Sequence, residues 1–148
     1  MFWRIGEILV QKKLSSWEQL SEALDEQKRT KEFTGEILIR KGFIAPIFFY
    51  KALSDQYQMR FIDLKRTHIN PKAVELLPRS VCEKYGIFPI EIGPESLIVG
   101  ISNPMNSWPE MEIQHFAKIE KIEKVLCLPS HIQQAIDDHY PKKESKSV

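Results

Sequence analysis

The stretch RIGEILVQKKL at residues 4–14 returns as FTGEILIRKGF at residues 33–43, and this recurrence decides how the first third of the chain is read. At an offset of 29, Gly6, Glu7, Ile8, Leu9 and Lys12 recur as Gly35, Glu36, Ile37, Leu38 and Lys41. The match resumes downstream, where Ala23, Leu24 and Gln27 become Ala52, Leu53 and Gln56, and Leu20 becomes Phe49. A spaced set of this kind marks two copies of one supersecondary unit. Within each copy the apolar triplet, Ile8 to Val10 or Ile37 to Ile39, reads as a short helix facing a core. A turn follows, then a second helix. Ser15 or Ser16 can cap the one that opens at Trp17, and Leu20, Ala23 and Leu24 fall on one of its faces. In the second copy Ala45 and Pro46 begin the equivalent helix, with Pro tolerated at the first helical position. The stretch KRTKE at residues 28–32 reads as the linker between copies.

Helix, turn, helix is also a DNA-binding arrangement, but the second helix of copy two, IFFYKALSDQ, carries Lys51 as its only positive charge. The whole chain argues the same way. Its 148 residues hold 21 Lys and Arg against 20 Asp and Glu, so no net basic field exists to hold a nucleic acid backbone. The composition, 43% hydrophobic and 28% charged, suits a globular protein, and no apolar run approaches the ~20 residues that cross a bilayer. With no signal-peptide pattern at the start, the expected location is the cytoplasm.

Enzyme classes fall away for lack of the motifs that position their chemistry. No GxxxxGK followed by Ser or Thr, no GxGxxG, no GxSxG and no HExxH occurs. Cys82 and Cys127 lack the spacing of a zinc site or disulfide framework and read as small core residues. His68, His115, His131 and His139 lie too far apart in sequence to suggest a ligand cluster.

From Tyr57 the pattern changes. MRFIDL reads as a short strand, and PKAVELLP with SVCEKYG as two short helical turns, the first opened by Pro71. IFPIEI and SLIVGIS read as a hairpin about Gly93 and Pro94. A helix near residues 109–117, a strand IEKVLCL and a last helix over residues 130–140, capped by Ser130, complete the pattern. The expected fold is α+β: residues 1–56 form an all-helical subdomain of two tandem helix-turn-helix repeats, and residues 57–140 an α+β subdomain about a three-stranded sheet. The tail PKKESKSV at residues 141–148 lacks apolar anchors and is expected to be mobile.

The paired RIGEILVQKKL and FTGEILIRKGF turns, each completed by Gln27 or Gln56, resemble the tandem motif of the MshE N-terminal domain family. That domain heads assembly ATPases of type II secretion and type IV pilus systems. The resemblance continues through YQMRFIDL, AVELLP, SLIVGISNP and HIQQAIDDHY. It implies a non-catalytic regulatory or docking domain, a lone one or a piece of a larger polypeptide, with no ATP hydrolysis of its own. It implies no cofactor, with cyclic di-GMP as ligand of the two motif copies. The implied partners are an inner-membrane platform protein or the assembly ATPase, which would recruit the chain to the inner membrane without inserting it.

Carried over residue by residue, the resemblance implies a ligand site of Arg4, Ile5, Gly6, Leu9 and Gln27 in the first copy and Gly35, Leu38 and Gln56 in the second. The arginine would present its planar fork to a guanine, glycine would admit a phosphate to backbone N–H groups, and the leucines would pack on the purine. Three positions depart from the motif. Lys13 stands where the pattern has glycine, so its turn is expected to manage without a left-handed residue, whereas copy two keeps Gly42. Phe33 and Thr34 replace the arginine and leucine of copy two, and Phe33 cannot donate a bidentate pair. Two readings stay open: a cyclic di-GMP module weakened in its second half, or a protein-interaction module whose nucleotide site has decayed.

Overall fold

A computed structural model describes residues 5–104 and 109–141. Arg4, and the tail from residue 142 onward, lie outside them. The chain divides into two compact units, residues 1–58 and 59–148.

Four helices make up the described part of the first unit: α1 (Ile5–Gln11), α2 (Trp17–Thr30), α3 (Thr34–Arg40) and α4 (Pro46–Tyr57). Ser16 starts α2 with a reciprocal cap. Its hydroxyl accepts from the Gln19 N–H at 3.1 Å, while Gln19 Oε1 accepts from the Ser16 N–H at 3.1 Å. Pro46 opens α4 from the N-cap Ala45, as its fixed φ allows. The expected linker KRTKE is corrected, because its first three residues are the last turn of α2. The helix stops where Lys31 turns left-handed, at φ 65°, and donates its N–H to Gln27 O at 2.9 Å.

The second unit is built on a three-stranded sheet, β1 (Ile87–Ile92), β2 (Ser96–Ile101) and β3 (Lys121–Leu126), in that spatial order. β1 and β2 are an antiparallel hairpin, and β3 runs parallel to β2 after a crossover containing α7 (Glu110–Ala117). Pro89 sits within β1 without cost to the ladder because β1 is an edge strand, and the register shifts between Pro89 and Glu91. α5 (Pro71–Val74), α6 (Arg79–Tyr85) and α8 (Pro129–His139) pack on the sheet about a core that includes Phe88, Leu97, Val99, Leu126 and Ile136. The chain is therefore α+β, with eight α-helices and a mixed sheet among the described residues.

Two local expectations are corrected here. MRFIDL is not a strand: Phe61 makes one isolated bridge to Leu126, and a 3₁₀ turn begins at Leu64. Asp63 causes the change, since its carboxylate accepts from the Lys65 N–H at 3.0 Å and draws the backbone out of the extended state. Ser130 is not the cap of α8, which begins one residue earlier at Pro129 with Leu128 as N-cap and no side-chain cap bond. Both cysteines are core residues, and burial pushes the Cys82 thiol up to about 11 and the Cys127 thiol to about 12.

The end of α8 is tied down by a buried polar cluster. The Tyr140 hydroxyl shares its proton between Leu77 O at 2.8 Å and Val74 O at 3.0 Å, with Cys82 Sγ at 3.3 Å. Arg79 adds a second tie, donating to Asp137 Oδ1 at 2.7 Å and to the carbonyls of Tyr140 and Pro141 at 3.3 and 3.2 Å.

Candidate functional site

The turns of the two repeat copies adopt the same backbone, bond for bond. Lys12 N–H donates to Ile8 O and Leu14 N–H to Leu9 O; 29 residues on, Lys41 donates to Ile37 O and Phe43 to Leu38 O, all at 2.9 Å. Between them lie Lys13 at φ 62° and Gly42 at φ 76°. The expectation for Lys13 is thus corrected: the turn keeps its left-handed residue and forces a lysine into it, at a cost of ~1 kcal/mol relative to a relaxed backbone. The turn closes regardless, because its flanking hydrogen bonds and the packing of Leu9 hold it.

Gly6 and Gly35 occupy matching places one residue into α1 and α3. Each is buried against the second helix of its own copy, Gly6 under Leu20 and Gly35 under the ring of Phe49. A Cβ on either would overlap those side chains. Close helix approach is therefore a sufficient reason for glycine at both sites. Leu9 and Leu38 are 0% exposed, so they hold the turns from inside and have no surface to offer a purine. Ile5, Gln27 and Gln56 are half-buried, and Phe33 is 55% exposed at the N-cap of α3. Arg4, the remaining candidate, falls outside the described residues.

The copies do not simply follow one another; they cross. α1 packs with α4 and α2 with α3, so the first helix of each copy meets the second helix of the other. Ion pairs repeat the pattern. Lys41 of copy two reaches Glu26 of copy one at 3.0 Å, and Lys12 of copy one reaches Asp55 of copy two at 3.1 Å. Each acidic residue immediately precedes its motif glutamine, Gln27 or Gln56. This is the reciprocity of a two-fold interface, residue i meeting j and j meeting i, within a single chain. Sequence reading missed Glu26 and Asp55 because they differ in residue type; their common sign and the offset of 29 were the available signal.

The two crossings differ in charge density. At α2–α3, Arg40 bridges Glu26 and Glu32, and Lys41 bridges Glu22 and Glu26, whereas α1–α4 has the Lys12–Asp55 pair. Arg40, and after it Lys41, hold the Glu26 carboxyl down to about 2 from its ordinary 4.5. A lowered folded pKa gives stability that is present above about pH 4.5 and lost as pH falls towards about 2. Glu26→Gln is therefore expected to flatten part of the fall in thermal midpoint across that window. Melts followed by circular dichroism in steps of pH check it; a Glu26→Gln profile parallel to wild type would disprove it.

Among the described residues, no group of three or more His, Cys, Asp or Glu side chains is placed to hold a metal ion, and no helix is long and apolar enough to cross a membrane.

Comparison with known proteins agrees with this architecture. The MshEN domain model matches residues 57–146, more than half of the chain and mostly the α+β unit. The type IV pilus assembly ATPase PilB of Myxococcus xanthus is 32% identical over 143 residues, covering 97% of this chain and 25% of that protein. PilB of Thermus thermophilus is 31% identical over 141 residues, covering 95% of this chain and 15% of that protein. The chain thus spans a quarter or less of the curated relatives it matches. Among solved structures, MshE with cdg, cyclic di-GMP, superimposes with a TM-score of 0.81 at 27% identity over 93% of this chain and 99% of that one. The N-terminal domain of XpsE, at a TM-score of 0.70 and 15% identity over 93% of this chain and 94% of its own, shares the fold. Sequence motif, fold and repeat geometry converge, and the chain belongs to the MshEN domain family.

Proposed function

We propose that this chain is the regulatory and docking domain of a type IV pilus or type II secretion assembly ATPase, and that it binds cyclic di-GMP through its tandem repeat. The observation that carries the reading is the internal two-fold: two turns with the same hydrogen bonds, crossed so that each copy's lysine meets the other copy's carboxylate. Cyclic di-GMP is itself nearly two-fold, so a paired site can hold one guanine and one phosphate with each half. MshE, which shares the fold at 27% identity, has been solved with that dinucleotide.

The halves are unequal in this chain. Copy one carries Arg4, whose guanidinium can fork onto guanine O6 and N7, and copy two carries Phe33 in the matching place. Phe33 is exposed and can stack on a base, but it supplies no donor. Binding is therefore led by copy one. Leu9 and Leu38 take part by holding the turns, and Gln27 and Gln56 remain the candidates for a further amide contact.

Calorimetric titration of wild type, Arg4→Ala and Phe33→Arg under one salt condition is the test. Arg4→Ala is expected to lose most binding. Phe33→Arg is expected to gain about ten- to a hundredfold, the worth of one bidentate pair at about 1–3 kcal/mol. Equal binding by wild type and Arg4→Ala would remove Arg4 from the site. No binding by either wild type or Phe33→Arg would leave the second reading, a docking module with a decayed nucleotide site. The exposed Phe33 at the arginine position favours that reading over any enzymatic one. The expected docking target is a cytoplasmic segment of an inner-membrane platform protein or the ATPase itself.

A further inference from the structure

α2 and α4 hold the same place in their two copies, and each turns the same side inward. α2 buries Leu20 and Ala23, and α4 buries their counterparts Phe49 and Ala52. The outer sides differ. At 3.6 residues per turn, Ile47, Lys51 and Ser54 run down the side of α4 away from that core, with Phe48 on one flank and Tyr50 and Tyr57 on the other. The same six positions of α2, an offset of 29 back, hold Glu18, Gln19, Ser21, Glu22, Asp25 and Lys28. Phe48 is 50% exposed and Tyr57 39%, and Ile47 and Tyr50 are half-buried. The fold does not require this apolar surface, because copy one builds the same helix with a polar residue at every one of the six places. An intermolecular contact explains it, since aromatic side chains are enriched at the centres of interfaces.

The charges on this side select the occupant. Lys51, in the middle of the face, is exposed and its ammonium has no ion-pair or hydrogen-bond partner among the described residues. Its counterpart in copy one, Glu22, is by contrast held by Lys41 at 3.0 Å. Glu36 of α3 is likewise exposed, and its carboxylate has no ion-pair or hydrogen-bond partner among the described residues. Tyr50 stands beside both. It adjoins Lys51 in sequence, and its hydroxyl pKa is raised by burial first and by the Glu36 charge second. A second copy turned about a two-fold axis satisfies both charges at once, each chain's Lys51 meeting the other's Glu36.

We infer that the outer side of α4 is the contact face of a symmetric dimer of this chain, with Ile47, Phe48 and Tyr50 packed about the two-fold axis and Lys51 and Glu36 paired across it. The face uses no residue of the proposed dinucleotide site, so it stands whether or not that ligand binds.

Sedimentation velocity of the full 148-residue chain, from micromolar to millimolar concentration, is the test. Wild type is expected to pass from monomer to dimer across that range. Phe48→Gln, which installs the residue copy one carries at that place, is expected to weaken association at least about tenfold. Lys51→Glu and Glu36→Lys each set like charges opposite one another and are expected to weaken it by about the same factor. The double variant restores opposite signs and is expected to return to within about threefold of wild type. All three positions are exposed, so the variants leave the core intact, which circular dichroism melts verify. A wild-type chain that stays monomeric at millimolar concentration would overturn the dimer and leave the face to an unlike partner. A dimer indifferent to Phe48→Gln, or charge reversals that the double variant fails to rescue, would overturn it equally.

Discussion

Tyr140→Phe is expected to destabilise the α+β unit by about 2–4 kcal/mol while leaving every apolar contact of the ring in place. The hydroxyl is the donor shared by Leu77 O and Val74 O, and it faces Cys82 in an environment that raises the tyrosine pKa by burial first and by Cys82 second. Removing it strands Leu77 O and leaves Val74 O with only the long bond from the Leu77 N–H at 3.5 Å, and an unsatisfied buried acceptor costs about 1–3 kcal/mol, more than the ~1 kcal/mol a typical hydrogen bond contributes. Arg79 still ties α8 to α6 through Asp137, so the loss stays within that range and does not melt α8 outright. Urea unfolding followed by near-ultraviolet circular dichroism measures it. A change below about 0.5 kcal/mol would mean that water reaches the carbonyls and that the cluster is not sealed.

Gly35→Leu is expected to cost the helical unit about 3 kcal/mol or more, because the added side chain must enter space filled by the Phe49 ring. Alanine at the two glycines separates the causes. Each substitution gains ~1 kcal/mol of helix propensity. At Gly6 the obstacle is the end of a flexible leucine, Leu20, which can rotate away, so Gly6→Ala should come out near neutral. At Gly35 the obstacle is a ring with several atoms in the way, and overpacking at ~1–3 kcal/mol outweighs the propensity gain. Chemical denaturation of Gly6→Ala, Gly35→Ala and Gly35→Leu should therefore rank in that order of increasing loss. Equal losses at Gly6 and Gly35 would refute the packing account.

The repeat was legible because it is written in identities: Gly, Glu, Ile, Leu and Lys return at one offset, and the copies fold alike. The hairpin was legible in its two apolar runs about Gly93 and Pro94. Less visible were features decided by a single side chain or by contacts distant in sequence. Asp63 converts an apolar, strand-like run into a 3₁₀ turn by one hydrogen bond to the Lys65 N–H. Lys13 bears no signature of a left-handed backbone, and its φ follows from the turn closing around it. Leu9 and Leu38 match a ligand motif by type, yet the packing of four helices takes their whole surface. The meeting of His68, His131 and His139 about one groove of the second unit is not written in the sequence, where the first lies far from the other two.

The crossing of the copies has a consequence for how the helical unit can be assembled. Since α1 meets α4 and α2 meets α3, one repeat excised from the other would present half of an interface and no finished interior. The unit is a dimer written on one strand of peptide, with the short run after Thr30 as its tether. A tether supplies effective concentration rather than contacts. Severing it would leave two fragments with every reason to find each other again, and lengthening it would leave room for two molecules to exchange halves.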